Sequence, residues 1–306
     1  MKNNQLMIYG AYGYAGELMV REAVAQGLRP IIAGRDDEKL KPIATELSLE
    51  CRAFGVRNTG SNLQDISVLL NCAGPFSATA EPLARACLAQ QIHYLDITGE
   101  IDIFRKCHAL DEEARQQNVL ILPGAGTDIV PTDCLAAMLK EKLPVATRID
   151  LALSFGTNPS IGTVNTMIES FGKGGLIREG GMLKVVSNAF QMRKIPFQNK
   201  PQWAMTIPWG DVFTSGISTG VPDGAVYMAM PRMSIYMIRL TNPVKGILNT
   251  QFGQKITKRL AGWLMKKGPD AKALEAGRGQ FWGEAEAPDG EKLEMTMSTP
   301  NVYALT

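Results

Sequence analysis

Three glycines close to the start of the chain are the first residues whose spacing indicates chemistry. Gly10, Gly13 and Gly16 lie between the apolar run Leu6–Tyr9 and a helical pattern that begins near Ala15. A glycine-rich turn of this kind brings backbone N–H groups and the positive end of a helix dipole close to a phosphate. We therefore predict that this turn binds the pyrophosphate of a dinucleotide, through Gly10, Ala11, Tyr12, Gly13, Tyr14, Ala15 and Gly16.

The end of the second apolar run indicates which dinucleotide is bound. Gly34 and Arg35 stand where an NAD-binding chain usually carries a carboxylate for the ribose hydroxyl. An arginine there donates paired, charged hydrogen bonds to a 2′-phosphate. NADP(H) is therefore favoured over NAD, although Asp36 or Asp37 could turn inward and Arg35 could be a solvated surface residue.

Small and polar residues follow the fourth, fifth and sixth apolar runs. The predicted cofactor contacts there are Asn71, Cys72, Ala73, Gly74, Pro75, Thr98 and Gly99. We predict Asp96, Thr98 and Asp128 as catalytic groups, because a carboxyl or hydroxyl group can move a proton near the nicotinamide. Each of these three could instead cap a helix, and Cys72 is expected to be a buried small residue rather than a nucleophile.

Substrate contacts are predicted in two parts of the chain. Two acids follow the fifth and sixth runs, and four polar or aromatic residues lie in predicted loops of the second half: Glu100, Asp133, Trp209, Asp211, Ser218 and Thr219. Hydrogen bonds that only anchor a loop are an equal alternative for the last four. Asp133 could simply begin the helix that follows it.

Several other chemistries are excluded by the residue inventory. The chain has two histidines and five cysteines, and none of them forms a zinc-binding spacing, so no metal site is expected. No tyrosine is followed by lysine four residues later, and neither a G-x-S-x-G elbow nor a phosphate-binding G-x-x-x-x-G-K loop is present. Acid–base work must therefore come from carboxylates, hydroxyls or water.

The elements that position these residues alternate over the first 140 residues. Six short apolar runs separated by helical patterns predict a Rossmann-type, doubly wound parallel sheet in an α/β domain, residues 1–142. Residues 143–306 predict an α+β substrate or dimerisation domain with a mostly antiparallel sheet. Its strands are expected at Thr147–Phe155, which alternates like a half-buried strand, and at Gln202–Ile207, Gly224–Met230 and Lys292–Met297.

Composition and charge bound the partners. The 306 residues are 45% hydrophobic and 20% charged, which is typical of a globular protein, and the net charge of +2 alone indicates no partner. No nucleic-acid partner is expected. A basic amphipathic helix is predicted over 245–267. It either packs with a solvated face or docks an acidic partner or a membrane surface. The lack of a signal peptide or long apolar run and the unpaired cysteines predict a reduced, cytoplasmic protein. A small-molecule or acyl substrate and a homodimer are also expected.

Seven motifs resemble the saccharopine dehydrogenase-like oxidoreductases, a family that includes the trans-acting enoyl reductases. In chain order they are GAYGYAG at 10–16, AGR at 33–35, NCAGPF at 71–76, DITGE at 96–100, PGAGTDIVPTD at 123–133, PWGDV at 208–212 and STGVP at 218–222. Two features depart from the family pattern. Asp128 follows Thr127, and the family often has an aromatic residue where this chain has that threonine. The chain also ends at Thr306 in an apparent strand, so a family-typical C-terminal helix is expected to be missing.

The resemblance implies hydride transfer from NADPH to a C=C bond of a lipid-like enoyl substrate. A saccharopine-type imine reductase or dehydrogenase acting on an amino-acid substrate is the second expectation. A third belongs to another class: an NADP-binding redox sensor without turnover.

Overall fold

The computed structural model describes residues 5–155, 174–240, 242–244, 250 and 277–305. These residues form two compact units, which divide between Thr127 and Asp128. The predicted basic helix at 245–267 lies outside the described residues. Among the helices that are described, none is long and apolar enough to cross a bilayer.

The first unit is built on six parallel strands. In chain order these are β1 (Leu6–Tyr9), β2 (Ile31–Gly34), β3 (Cys51–Ala53), β4 (Val68–Asn71), β5 (His93–Asp96) and β6 (Ile121–Leu122). Their spatial order is β3-β2-β1-β4-β5-β6, and every pairing is parallel. The connections contain α1 (Tyr14–Ala25), α2 (Asp37–Leu47), a 3₁₀ turn (Gly60–Leu63), α3 (Phe76–Ala89), α4 (Ile101–His108) and α5 (Asp111–Gln116). The predicted Rossmann-type sheet is confirmed.

Helices on both faces explain why these strands are apolar at nearly every position. On one face Met7 and Leu69 pack with α3 residues such as Leu83. On the other, Ile8 and Ile32 form a separate core. With both faces covered, the polar groups are confined to the ends of the strands, which is where a doubly wound sheet binds its ligand.

The second unit is a mixed sheet with helices. Its strands are β7 (Arg148–Phe155), β8 (Gly175–Glu179), β9 (Met182–Val186), β10 (Met192–Pro196), β11 (Pro201–Ile207), β12 (Asp223–Ala229), β13 (Gly279–Glu286) and β14 (Lys292–Thr299). The main path runs β10-β11-β12-β7-β13-β14, while β8 pairs with β12 and β9. Of the described pairings only β7–β12 is parallel, so the mostly antiparallel sheet is confirmed.

Strand β7 differs from its prediction as a half-buried antiparallel strand. It lies between β12 and β13, and six of its eight residues are buried. The polar members of its alternating pattern are covered because they have partners. Asp150 pairs with Arg148 at 3.0 Å and Arg193 at 3.4 Å. Polar alternation here marks an internal ionic network rather than a solvent-facing side.

The helices of the second unit are α6 (Val130–Lys142), α7 (Asp211–Thr219), α8 (Arg232–Leu240) and α9 (Val302–Leu305), with a 3₁₀ turn at Asn242–Val244. Helix α6, which the sequence placed at the end of the first domain, packs here against α7 and β13. A Cβ atom on Gly283 would lie 2.6 Å from Leu139 Cδ1, so glycine permits this close approach. The end of the chain, predicted as a strand, is helical at α9.

Candidate functional site

The glycine turn sits between β1 and α1, as its spacing predicts. The Gly10 and Ala11 N–H groups both donate to Ala33 O, at 2.7 and 3.2 Å, which anchors the turn against β2. Gly10 has a positive φ of +86°, and a Cβ atom there would lie 2.7 Å from Ala73 N. Glycine is therefore required at position 10 by both conformation and packing.

The other two glycines have different reasons for being glycine. A Cβ atom on Gly16 would lie 2.2 Å from Gly10 O, so α1 packs on the turn only without a side chain there. At Gly13 the nearest atom would be Gly10 O at 3.2 Å, and φ is an ordinary −77°. That contact is tight, but apart from the chain neighbours Gly10 O is the one described protein atom within 4 Å of a Cβ atom here, so the remaining space can take a phosphate. Gly13 is also the N-cap of α1 and no side chain caps that helix, which suits an anion.

The residues after β2 fit a 2′-phosphate. Arg35 is exposed, and no carboxylate of the described residues forms an ion pair with it. Asp36 instead caps α2 by accepting from Lys39 N at 3.3 Å, and Asp37 pairs with Lys41 Nζ at 2.5 Å. Both carboxylates that could have bound a ribose hydroxyl are thus committed to α2. On the other side, the Tyr12 ring packs so closely that a Cβ atom on Gly34 would lie 2.6 Å from it.

The loop after β4 is held by the side chain of Asn71. Its Oδ1 accepts from Ala73 N at 3.0 Å, while its Nδ2 donates to Tyr94 OH at 3.1 Å. This brings Ala73 and Gly74 to the same edge of the sheet as the glycine turn. Burial, with the charge of Asp96 as a smaller cause, raises the pKa of Cys72 to about 12. Cys72 is therefore a packing residue, as expected, and not a nucleophile.

Asp96 has a structural role in place of the catalytic role predicted for it. It is fully buried, and its carboxylate accepts from Tyr94 OH at 2.8 Å, Thr98 N at 3.0 Å and Gly124 N at 2.9 Å. Burial raises its pKa while these three donors oppose the rise. The carboxylate ties the loop after β5 to the loop after β6.

Thr98 and Glu100 also serve the loop after β5. Thr98 is fully buried, and its hydroxyl accepts from Glu100 N at 3.1 Å at the start of α4. Glu100 is the N-cap residue of α4 and is half-buried, as is Gly99. Hydroxyl chemistry by Thr98 has no support in this geometry, because the side chain is covered and engaged.

Asp128 is the predicted catalytic residue whose surroundings suit proton transfer. Its backbone carbonyl accepts from Trp209 Nε1 at 2.6 Å, which fixes the main chain. Its half-buried carboxyl group makes no hydrogen bond or ion pair with any described residue. Burial raises the pKa of Asp128 to about 6. A carboxyl group with this pKa exchanges a proton readily near neutral pH.

The remaining predicted substrate residues lie on or beside α7, in a segment that was predicted as a loop. Asp211 is fully buried, and its Oδ1 lies 2.7 Å from Thr132 Oγ1. The exposed Ser218 donates to Asp133 Oδ2 at 2.5 Å. Thr219 is buried and caps the end of α7 by accepting from Val221 N at 3.2 Å. Asp211 and Thr219 are thus part of the protein's interior.

Two participants were missed from the sequence. Thr132 links α6 to α7 through its contact with Asp211. From the sequence, a threonine at the start of a helix indicates only an N-cap. Arg178 is 4% exposed and donates to Val221 O at 3.0 Å and Ser215 Oγ at 3.1 Å, without an ion pair among the described residues. An isolated arginine on a strand carries no sequence signal for such a role.

Residues 6–122 match the family model described as the saccharopine dehydrogenase NADP binding domain. A saccharopine dehydrogenase-like oxidoreductase of Rattus norvegicus is 25% identical over 231 residues, which cover 66% of this chain and 53% of the relative. A Mycobacterium tuberculosis protein, provisionally named a trans-acting enoyl reductase, is 28% identical over 205 residues, covering 60% of this chain and 44% of that protein. The chain therefore spans about half the length of these curated relatives.

Among solved structures, the L-glutamate-forming saccharopine dehydrogenase of Saccharomyces cerevisiae superposes with a TM-score of 0.63. The superposition covers 97% of this chain and 85% of that chain. At 9% identity, this similarity shows the fold alone. Within the described residues no group of three or more histidine, cysteine or acidic side chains is placed to hold a metal ion. The first unit thus carries the match to an NADP-binding domain, and about two thirds of the chain is similar in sequence to a saccharopine dehydrogenase-like oxidoreductase.

Proposed function

We propose that the chain catalyses NADPH-dependent reduction of a polarised double bond, with Asp128 as the proton donor. The observation that carries this proposal is the state of the Asp128 carboxyl group. It is half-buried, has no partner among the described residues, and burial raises its pKa to about 6. The acids on the first unit's sheet edge offer no comparable group, because Asp96 is covered and accepts three hydrogen bonds.

The chain's own residues bind the cofactor, orient the loops around it and donate a proton to the substrate. When bound, the reduced cofactor supplies a hydride. Gly13 would leave room for the pyrophosphate and Arg35 would hold the 2′-phosphate, while Asn71 and Asp96 fix the loops at the same edge of the sheet. Hydride addition to a C=C bond conjugated to a carbonyl leaves an anion that needs a proton. Asp128 donates that proton to the substrate carbon and takes up another from solvent.

The C=C bond of an enoyl group on a lipid-like acyl substrate is our first choice of substrate. It is supported by the name of the Mycobacterium tuberculosis relative and by the resemblance of the seven motifs to a family that includes the enoyl reductases.

An imine is the second candidate, and one observation favours it. The carboxyl groups of Asp128 and Asp133 lie in one region of the second unit, where both act electrostatically on the buried Asp211. Nearby carboxylates stabilise an iminium cation but oppose the anion formed from an enoyl group. A saccharopine-type reduction of a C=N bond on an amino-acid substrate is therefore the alternative.

The test is NADPH oxidation with two substrate panels. One panel contains enoyl thioesters of increasing chain length, and the other contains mixtures of 2-oxo acids with amino acids. We expect steady NADPH consumption with the enoyl panel, abolished in Asp128→Asn. Turnover with the second panel alone selects the imine reaction. Tight NADPH binding with no oxidation in either panel contradicts the proposal and favours the redox sensor.

Location and partners remain proposals. A reducing compartment such as the cytoplasm is supported by the five cysteines, all of which are free. An acidic partner or membrane surface at 245–267 is supported by the absence of acidic residues between Gly224 and Pro269. Charge reversal at Lys258 and Arg259 should abolish such binding, and unchanged binding contradicts it. Homodimer formation is tested by sedimentation.

A further inference from the structure

Two segments of the second unit are joined by three side-chain hydrogen bonds. One is the turn 128–133, which includes the first residues of α6, and the other is the segment 209–219, which contains α7. Trp209 Nε1 donates to Asp128 O at 2.6 Å. Thr132 Oγ1 and Asp211 Oδ1 are 2.7 Å apart, and Ser218 Oγ donates to Asp133 Oδ2. The residue proposed as proton donor therefore lies at one end of a clamped turn.

The Thr132 hydroxyl has one hydrogen and two neighbouring oxygens. It lies 3.0 Å from Ile129 O and 2.7 Å from Asp211 Oδ1. Ile129 O can only accept. If the Thr132 hydrogen points to Ile129 O, the short contact with Asp211 needs a hydrogen on the carboxyl group. A protonated Asp211 then donates to Thr132, which in turn donates to Ile129.

The surroundings of Asp211 favour this protonated form. The side chain is fully buried, and its Oδ2 is covered without any hydrogen-bond partner. A bare carbonyl oxygen costs less to bury than a bare carboxylate oxygen. The charged groups that act on it are Asp128 and Asp133, both acidic. Arg178 reaches α7 from β8 but donates to Val212 O and Ser215 Oγ, not to Asp211.

We propose that Asp211 is a neutral carboxylic acid that positions Asp128 through Thr132. The proposal rests on the proposed function of Asp128, because that gives the positioning its purpose. Trp209 and Asp211 then act together: the first holds the carbonyl of Asp128 directly, and the second holds the next carbonyl, that of Ile129, through Thr132. Burial also raises the pKa of Asp211 well above its usual value, in agreement with this geometry.

Neutrality matters for two reasons. An ionised Asp211 would draw the Thr132 hydrogen to itself, leaving Ile129 O with only its backbone donor, Asp133 N, at 2.9 Å. It would also place another negative charge near Asp128, which would make Asp128 a weaker acid. The proton on Asp211 therefore keeps both the geometry and the acidity of Asp128 in their working range.

The first test needs no substrate and compares Asp211→Asn with Asp211→Ala in the full chain. Asparagine copies a neutral acid, since its Nδ2 can donate to Thr132. Folding of the wild type takes up a proton above the pKa of the unfolded acid. Its unfolding equilibrium constant should therefore rise about tenfold per pH unit relative to Asp211→Asn, from about pH 5 until Asp211 ionises.

Infrared spectroscopy reads the proton directly. At pH 8 the wild type minus Asp211→Asn difference spectrum should contain the carbonyl band of an un-ionised carboxylic acid. In Asp133→Asn, the control at a neighbouring acid, the band should remain. The proposal is overturned if the band is absent and Asp211→Asn is as unstable as Asp211→Ala at every pH. This outcome does not depend on whether the enzyme reaction is established.

The kinetic test separates positioning from folding. Asp211→Ala should lower kcat at least tenfold with little change in the KM for NADPH, and should shift the apparent pKa of the kcat profile. Asp211→Asn should restore most of the lost kcat. Equal loss in both variants, with an unshifted pH profile, shows that Asp211 does not position Asp128.

Discussion

We expect single residues to decide which cofactor the first unit accepts. Arg35 is exposed without an ion-pair partner among the described residues, and Asp36 and Asp37 are occupied within α2. A hydrogen bond to a charged group such as a phosphate contributes about 1.5–3 kcal/mol to binding. Arg35→Ala should therefore weaken NADPH binding on the order of 10- to 100-fold and leave NADH binding unchanged. Calorimetric titration with both cofactors checks this, and an equal loss for both would remove Arg35 from the phosphate site.

Alanine should have different effects at Gly16 and at Gly13: the first should lower stability and the second should weaken NADPH binding. Gly16→Ala forces a Cβ atom to 2.2 Å from Gly10 O, so the unliganded protein should lose several kcal/mol, about 3 or more. Gly13→Ala should cost less than about 1 kcal/mol in stability but weaken NADPH binding, because the methyl group occupies the phosphate space. Urea unfolding and NADPH titration of both variants separate the two roles. Similar stability losses would contradict them.

Residue types at strand ends were predictable, but their individual roles were not. The turn at 10–16 and Arg35 follow from local spacing, since the strand, turn and helix are contiguous in sequence. The role of Asp96 depends on Gly124, 28 residues away, which donates to it in the folded chain. A buried carboxylate and a catalytic one look alike until such distant donors are placed.

At the scale of elements, α7 shows why local propensity failed. Its sequence, DVFTSGIST, contains a central glycine and several β-branched or hydroxyl residues, which are weak helix formers. The helix is stabilised from outside, by Arg178 bonding to Val212 O and Ser215 Oγ. Gly216 is part of this arrangement, because a Cβ atom there would lie 2.9 Å from Arg178 Nη1. By contrast, the six parallel strands could be predicted from their own apolar sequences, without reference to a distant residue.

The ionic network on the mixed sheet should stabilise the second unit. Arg193 makes two 3.1 Å hydrogen bonds to Glu284 and stacks 4.7 Å from the Trp282 ring. Glu284 is buried, so Arg193→Met should cost about 2–3 kcal/mol by leaving it poorly paired. The exposed pair of Arg21 with Glu17 is the control, where Arg21→Ala should cost less than about 1 kcal/mol. Equal costs in denaturant unfolding would mean that the network does not stabilise the sheet.

At the scale of the whole molecule, cofactor binding should protect one edge of the first unit. NADPH at 100 times its dissociation constant should stabilise the protein that binds it by about 2.7 kcal/mol. Hydrogen exchange should slow at 10–16, 34–36 and 71–75, and stay unchanged at 26–30 and 64–67, at the opposite ends of the strands. Uniform protection of both edges would contradict this location for the cofactor.

At the same scale, the proposed reaction depends on one proton. The pH dependence of kcat for NADPH-driven reduction, in wild type and Asp128→Asn, tests that claim most directly. Because Asp128 must be protonated to donate, wild-type kcat should be highest below its pKa of about 6 and fall as the pH rises through that value. Asp128→Asn should lower kcat about 100-fold or more, with this limb of the profile absent. An Asp128→Asn enzyme with the wild-type rate and the wild-type pH profile would contradict the account.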